Sequence, residues 1–133
     1  MKNLPAWVSN YIGIPFVSGG REIDSGLDCY GLFRLIQNIH YGKNIPDLSG
    51  AYDNANNFEQ TKEVFTKHQP IIAGIQIKEP EDGCAVVLRY GGHPLHIGTY
   101  IAGHILHSLP EVGSILSLAA DLEKRIEGYY LVN

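Results

Sequence analysis

Apolar positions recur at helical spacing in the first half of the chain and at strand spacing after Pro70, so the pattern itself predicts helices first and a sheet afterwards. In "LPAWVSNYIG" the residues Trp7, Val8, Tyr11 and Ile12 fit a short helix stopped by Gly13 and Pro15. "FVSGGREIDSGLD" reads as a loop from its Gly, Ser and Asp content. A helix is predicted from Cys29 to His40, with Leu32, Phe33, Leu35, Ile36 and Ile39 forming a broad apolar face and Gly42 ending it. Gly31, early in this helix, weakens it relative to alanine and implies that something approaches the backbone closely there. "IPDLSGAYDN" is a second loop, and "ANNFEQTKEVFTKHQ" a second helix with Phe58, Val64 and Phe65 inward, closed by Pro70. "IIAGIQI", "CAVVLRY", "LHIGTYIA" and "HILHSL" then read as strands parted by "KEPEDG", "GGHP" and "AG". A short helical piece, "SLAADLEKRI", precedes a last strand, "GYYLV". The fold class expected is α+β, as one domain over residues 1–133.

Composition narrows the function classes. With 133 residues, 44% hydrophobic and 18% charged, the chain has the make-up of a globular domain. A net charge of -4 and the absence of any basic cluster longer than Lys124-Arg125 argue against a nucleic-acid partner. "MKNLPAWVSNYIGIPF" lacks an apolar run of signal-peptide length, and no segment reaches the roughly 20 apolar residues of a membrane helix. The expectation is a protein made in the cytoplasm, with no membrane partner, that needs another route to any outside target. Of the two cysteines, Cys84 lies in an apolar strand and reads as core; an isolated pair in such a chain is expected to stay reduced.

Cys29 opens a helix just after a glycine-rich loop, where it is either a packing residue or a nucleophile. A helix N-terminus and a nearby imidazolium lower a thiol pKa by a few units, and the same helix start offers backbone N–H groups to an oxyanion. The partner imidazoles are found by register. If Ala102 and Gly103 form a two-residue hairpin turn, Ile101 faces His104, Gly98 faces His107, and His96 lies diagonal to His107. His96 and His107 then share a face, Gly98 leaves room between them, and His104 points the other way. A one-residue slip would undo the pairing. Cys29, His96 and His107 would thus serve as nucleophile, base and orienting group. The rival chemistry is zinc, from the two His-x-x-His pairs His93/His96 and His104/His107 with Cys29; strand residues three apart point to opposite faces, which opposes convergence.

Three separate motifs, in order over about residues 11–109, resemble the NlpC/P60 cysteine peptidases. "YIGIPFVSGGREIDSGLDCYGLFRLI" is similar to that family's Tyr-x-Gly-x-Pro-aromatic segment, Gly-Gly turn and Asp-Cys-x-Gly-Leu helix start. "EPEDGCAVVLRY" is similar to its Pro-x-x-Gly-Asp approach to a strand, with the order here Asp82-Gly83, and "LHIGTYIAGHILHS" to its two histidine-bearing strands. The resemblance implies a papain-like fold with N-terminal helices packed on an antiparallel sheet. It implies Cys29 as nucleophile, His96 as general base and acid, His107 as the orienting residue, and Asp28 beside the nucleophile on the substrate side. It implies hydrolysis of bacterial cell-wall peptides, especially γ-D-glutamyl bonds to a diamino acid, with neither metal nor organic cofactor.

Tyr30 after the cysteine, "GKNIPDLSGAY" and "RIEGYYLV" resemble the bacteriophage tail branch, which implies tail proteins as partners and a virion as the route to the wall. Tyr30 and Phe16 depart from the peptidase pattern and bear on substrate preference. Tyr11, Arg21, Asp28 and Tyr30 are the substrate-side candidates; for Tyr11, packing of the N-terminal helix is the competing role, and for Arg21 a solvated loop position. A tail-assembly component that binds proteins without turnover, and an amidase, deamidase or acyltransferase, are the alternative functions.

Overall fold

Asp28 starts the main helix by capping it. Its Oδ1 accepts the Gly31 N–H at 2.8 Å, which satisfies one of the orphan donors of the first turn. A computed structural model of the chain describes residues 3–50, 73–90 and 93–133, with the backbone alone for 73 and 93–95. In it, helix α1 spans Cys29–His40, the bounds that the periodicity predicts. Its apolar face divides between two clusters: Tyr30 and Phe33 pack with Ala85, Val87 and Ile97, while Leu32 and Ile36 pack with Ile101 and Leu106. Leu32, Phe33 and Ile36 are all essentially fully buried, each contributing about 1.5–3 kcal/mol by leaving water.

Among the described residues the sheet behind α1 has six antiparallel strands: β3 (Ala73–Ile77), β4 (Ala85–Tyr90), β5 (His93–Ile101), β6 (His104–Leu109), β7 (Gly113–Leu118) and β8 (Ile126–Val132). Their spatial order is β3-β8-β4-β5-β6-β7. The chain is α+β, with a helix packed on one face of this sheet. Val86, Leu88 and Ile105 point to the opposite face, where Leu122 and Ile126 cover them. Residue alternation therefore sends Ile97, Ile101 and Leu106 toward α1, and their neighbours His96, Tyr100 and His107 away from it.

The β5–β6 turn fixes the register on which the site depends. Ala102 and Gly103 have φ of 47° and 82°, the paired positive values of a tight two-residue hairpin whose twist matches its strands. Ile101 pairs with His104 and Thr99 with Leu106, the register expected from the sequence. Asp82, in the turn before β4, accepts the Ala102 N–H at 2.9 Å and pins the hairpin from outside.

Four elements differ from expectation. Ala6–Tyr11 is a 3-10 helix, because Pro5 and the Gly13–Pro15 stop leave only a short run in which the tighter turn closes. The segment read as a loop before Cys29 holds a small hairpin, β1 (Arg21–Glu22) with β2 (Gly26–Leu27). Strand β7 was not expected at all, and the piece after it, Ala119–Arg125, is also 3-10. The predicted helix over 55–69, with Phe58, Val64, Phe65 and His68, lies outside the described residues, as do Ile71 and Ile72.

Candidate active site

The β1–β2 hairpin is folded back onto the start of α1, and that contact builds the collar around Cys29. Gly31 is the reason it fits: a Cβ there would land on the Gly20 carbonyl oxygen. Arg21 reaches across the same gap. Its Nη1 donates to Asp28 Oδ1 at 2.9 Å and to the Gly20 carbonyl at 2.9 Å, and its Nε donates to the Asp47 carbonyl at 2.7 Å. The second Asp28 oxygen accepts the Gly19 N–H at 2.9 Å. Both carboxylate oxygens are thus engaged within the protein, and the Arg21–Asp28 pair is buried on both sides. Arg21 is not the solvated loop residue that composition suggests.

Cys29 is half-buried at the first position of α1, and its thiol lies against the backbone N–H groups of Tyr30 and of Ile97, the residue that follows His96 in β5. Burial pushes the thiol up to about 12, and the Asp28 carboxylate adds to the rise; the two N–H groups and the Arg21 cation oppose it. The lowered thiol pKa expected of a helix start is therefore not what the protein has. The physical reason is local: burial strips water from the sulfur, and a carboxylate stands next to it. Cys84 is a free buried thiol held up to about 11 by burial, in keeping with a core residue.

His96 and His107 meet across β5 and β6, next to the Ile97 N–H against which the Cys29 thiol lies; among the described residues no hydrogen bond joins the thiol to either ring. His96 Nε2 and His107 Nδ1 are 2.7 Å apart, and Gly98 makes the space: a Cβ there would lie 2.8 Å from Ile105 Cγ2 and 3.1 Å from His107 Cβ. His107 Nε2 is in turn 2.9 Å from Ser117 Oγ on β7. The three side chains form a hydrogen-bonded line that steps diagonally across β5, β6 and β7. Tyr90 stands edge-on to the His96 ring, with centroids 5.1 Å apart, and the Arg125 guanidinium lies 4.6 Å over the Tyr90 ring. Ser117 and Tyr90 were missed from sequence. His104 turns to the other face with its Nδ1 2.9 Å from the Ala102 carbonyl, so it does not converge with His107; the side chain of His93 lies outside the described residues.

Burial holds both imidazoles neutral: His96 is lowered from 6.5 to about 3, with the His107 charge adding to the effect, and His107 is lowered to about 4. Groups whose folded pKa lies below the unfolded value stabilise the fold above pH 6.5 and lose that contribution as pH falls toward 4 and 3. Urea unfolding should thus show stability that is level just above pH 6.5 and declines below it, before the carboxylate range is reached. Replacing both rings by glutamine should flatten that slope to what the His40 imidazole, also lowered by burial, contributes; an unchanged slope would contradict it.

Tyr11 and Tyr30 have their hydroxyls occupied within the protein. Tyr30 donates to the Pro46 carbonyl, and Tyr11 Oη sits 2.8 Å from His40 Nε2, against which Trp7 also stacks. His40 ends α1 and Cys29 begins it, so Tyr11 is anchored about 16 Å of helix away from the thiol. The structure thus groups Cys29 with the N-terminal collar of Asp28, Arg21 and Tyr30, joins His96 to His107, and leaves Tyr11 at the far end.

No family model and no curated protein matches the chain. Its fold does match solved structures. The NlpC/p60 domain of the peptidoglycan hydrolase SagA aligns with a TM-score of 0.64 at 18% identity, over 94% of this chain and 92% of that one. A Staphylococcus aureus Mu50 protein described as similar to lipoprotein, NLP/P60 family, aligns with a TM-score of 0.62 at 17% identity. That alignment covers 94% of this chain but 38% of the other. The likeness is one of fold: an NlpC/P60-type α+β arrangement.

Proposed function

We propose that the protein is a cysteine peptidase that cleaves peptides of the bacterial cell wall, with Cys29 as nucleophile, His96 as general base and acid, and His107 as its orienting partner. The observation that carries this reading is the thiol at the head of α1, lying against the Ile97 N–H, next in the chain to an imidazole whose far nitrogen is bound by a second imidazole. The fold shared with a domain of a peptidoglycan hydrolase supports the substrate class.

Because the thiol pKa is high and the imidazole pKa low, the resting pair is neutral, and the sulfur is deprotonated as it attacks rather than beforehand. Sγ bonds to the carbonyl carbon while its proton passes to His96 Nδ1, the ring nitrogen not engaged by His107. The Gly31 N–H is taken by the Asp28 carboxylate, the Leu32 N–H by the Asp28 carbonyl and the Tyr30 N–H by the thiol, so the Cys29 N–H is the first-turn donor left for the oxyanion. Collapse of the tetrahedral species breaks the C–N bond, and His96 returns the proton to the leaving amine. Water, deprotonated by the same ring, then hydrolyses the thioester.

The bond we propose is γ-D-glutamyl to a diamino acid, and the setting a bacteriophage tail, both on the strength of the sequence motifs and of Tyr30 after the nucleophile. Mass spectrometry of muropeptides released from purified peptidoglycan is the test. New amino termini on the diamino acid are the expected products; ammonia or transferred acyl groups would point to deamidase or transferase chemistry. The raised thiol pKa favours a second reading, a tail component that keeps the fold without turnover, and intact muropeptides would support it.

A further inference from the structure

Ser117 is the end of the hydrogen-bonded line that begins at His96, and its place there has a chemical consequence. A neutral imidazole has one nitrogen that donates and one that accepts. Burial keeps both rings neutral at rest, so only two arrangements of the line exist. In the forward one, His96 Nε2–H donates to His107 Nδ1, and His107 Nε2–H donates to Ser117 Oγ. His96 Nδ1 is then bare and able to take a proton. In the reverse one, the Ser117 hydroxyl donates to His107 Nε2, and His107 Nδ1–H donates to His96 Nε2. His96 then carries its proton on Nδ1 and cannot deprotonate the thiol.

We propose that Ser117 is a positioning residue: as the acceptor that closes this line, it selects the His96 tautomer whose Nδ1 is free for the Cys29 proton. The assignment rests on the peptidase reading of the site. Its geometry is a matter of register. Ser117 pairs with Ile105 and His107 with Ile115, so Ser117 stands diagonal to His107 as His107 does to His96, all on one face. Ser117 is only half-buried, on the outermost strand, so its own O–H can turn to water while Oγ accepts. When His96 receives the Cys29 proton, both of its nitrogens bear hydrogen and Nε2 must donate. The forward direction is then the only one, and Ser117 receives it without rearrangement. With alanine at 117, the forward line would end on a His107 N–H lacking its partner, and the reverse line on the His96 Nδ1–H, so each direction leaves one N–H at its end. The forward direction thus loses the advantage that the Ser117 acceptor gives it, and the ring protons shift toward Nδ1.

The test reads the rings directly. In wild-type protein carrying 15N-histidine, His96 and His107 should both show a protonated Nε2 and an unprotonated Nδ1 at neutral pH. Ser117→Ala should shift both rings toward protonated Nδ1 and slow alkylation of Cys29 by iodoacetamide about fivefold, the loss of roughly one net hydrogen bond. Ser117→Thr, which keeps the hydroxyl, should restore both. Wild-type rings protonated on Nδ1 would overturn the assignment, as would a Ser117→Ala protein with unchanged rings and alkylation rate. The wild-type spectrum decides even if the alanine variant does not fold. A protein with the expected ring pattern that releases nothing from peptidoglycan would sink the peptidase reading and leave the tautomer assignment standing.

Discussion

Replacing Cys29 by alanine should abolish the release of new amino groups from purified peptidoglycan, and replacing His96 by alanine should lower kcat/KM by about 10²–10⁴-fold. The thiol is half-buried at the helix start and bears no buried ion pair, so its loss leaves the fold in place while removing the atom that bonds to the substrate. The histidine variant keeps the nucleophile but has no group to take its proton, and with the thiol held up to about 12, little thiolate forms unaided near neutrality. The two groups act in one step, so the double variant should be no worse than Cys29→Ala alone. Comparing amino-group release by the single and double variants checks this. Wild-type turnover by Cys29→Ala would end the proposal.

The second large effect concerns stability. Gly31→Ala in an exposed helix would gain about 1 kcal/mol from propensity. Here the sign should reverse, because the added methyl meets the Gly20 carbonyl oxygen and comes within 3.3 Å of Arg21 Nη1. Neither can give way cheaply: the carbonyl is backbone held by the Arg21 Nη1 bond, and Arg21 is tied to Asp28 and to the Asp47 carbonyl. A loss of about 3 kcal/mol or more is expected, read as a lower urea midpoint. A midpoint at or above wild type would show that the hairpin does not press on the helix as described.

The parts of the site that could be read from sequence are those fixed by strong local rules. The start of α1 follows from Asp28 as cap and from the apolar period after it. The alignment of His96 with His107 follows from the Ala102-Gly103 turn, whose two positive φ values allow one register. Ser117 escaped because "GSILSL" has serine and glycine at positions where a strand pattern shows alternation, so β7 was invisible and its hydroxyl with it. Arg21 escaped for a related reason: a glycine-rich stretch reads as exposed loop, and only the packing of β1–β2 onto Gly31 turns a charged side chain inward. The thiol pKa could not be read either, since the helix-start rule does not say whether the sulfur is buried or how strongly a neighbouring carboxylate acts on it.

One feature of the relay bears on the order in which the molecule assembles. His96 and His107 are 11 residues apart in the chain, and His107 and Ser117 are 10 apart, on consecutive hairpins. Cys29, on α1, is separated from them by a far longer chain segment. Short loops close at less entropic cost than long ones, so the imidazole line should form early in folding, with the cysteine helix docking later. A nascent chain would then carry a complete proton acceptor before it has a positioned nucleophile, and would stay chemically silent until its last long-range contact is made.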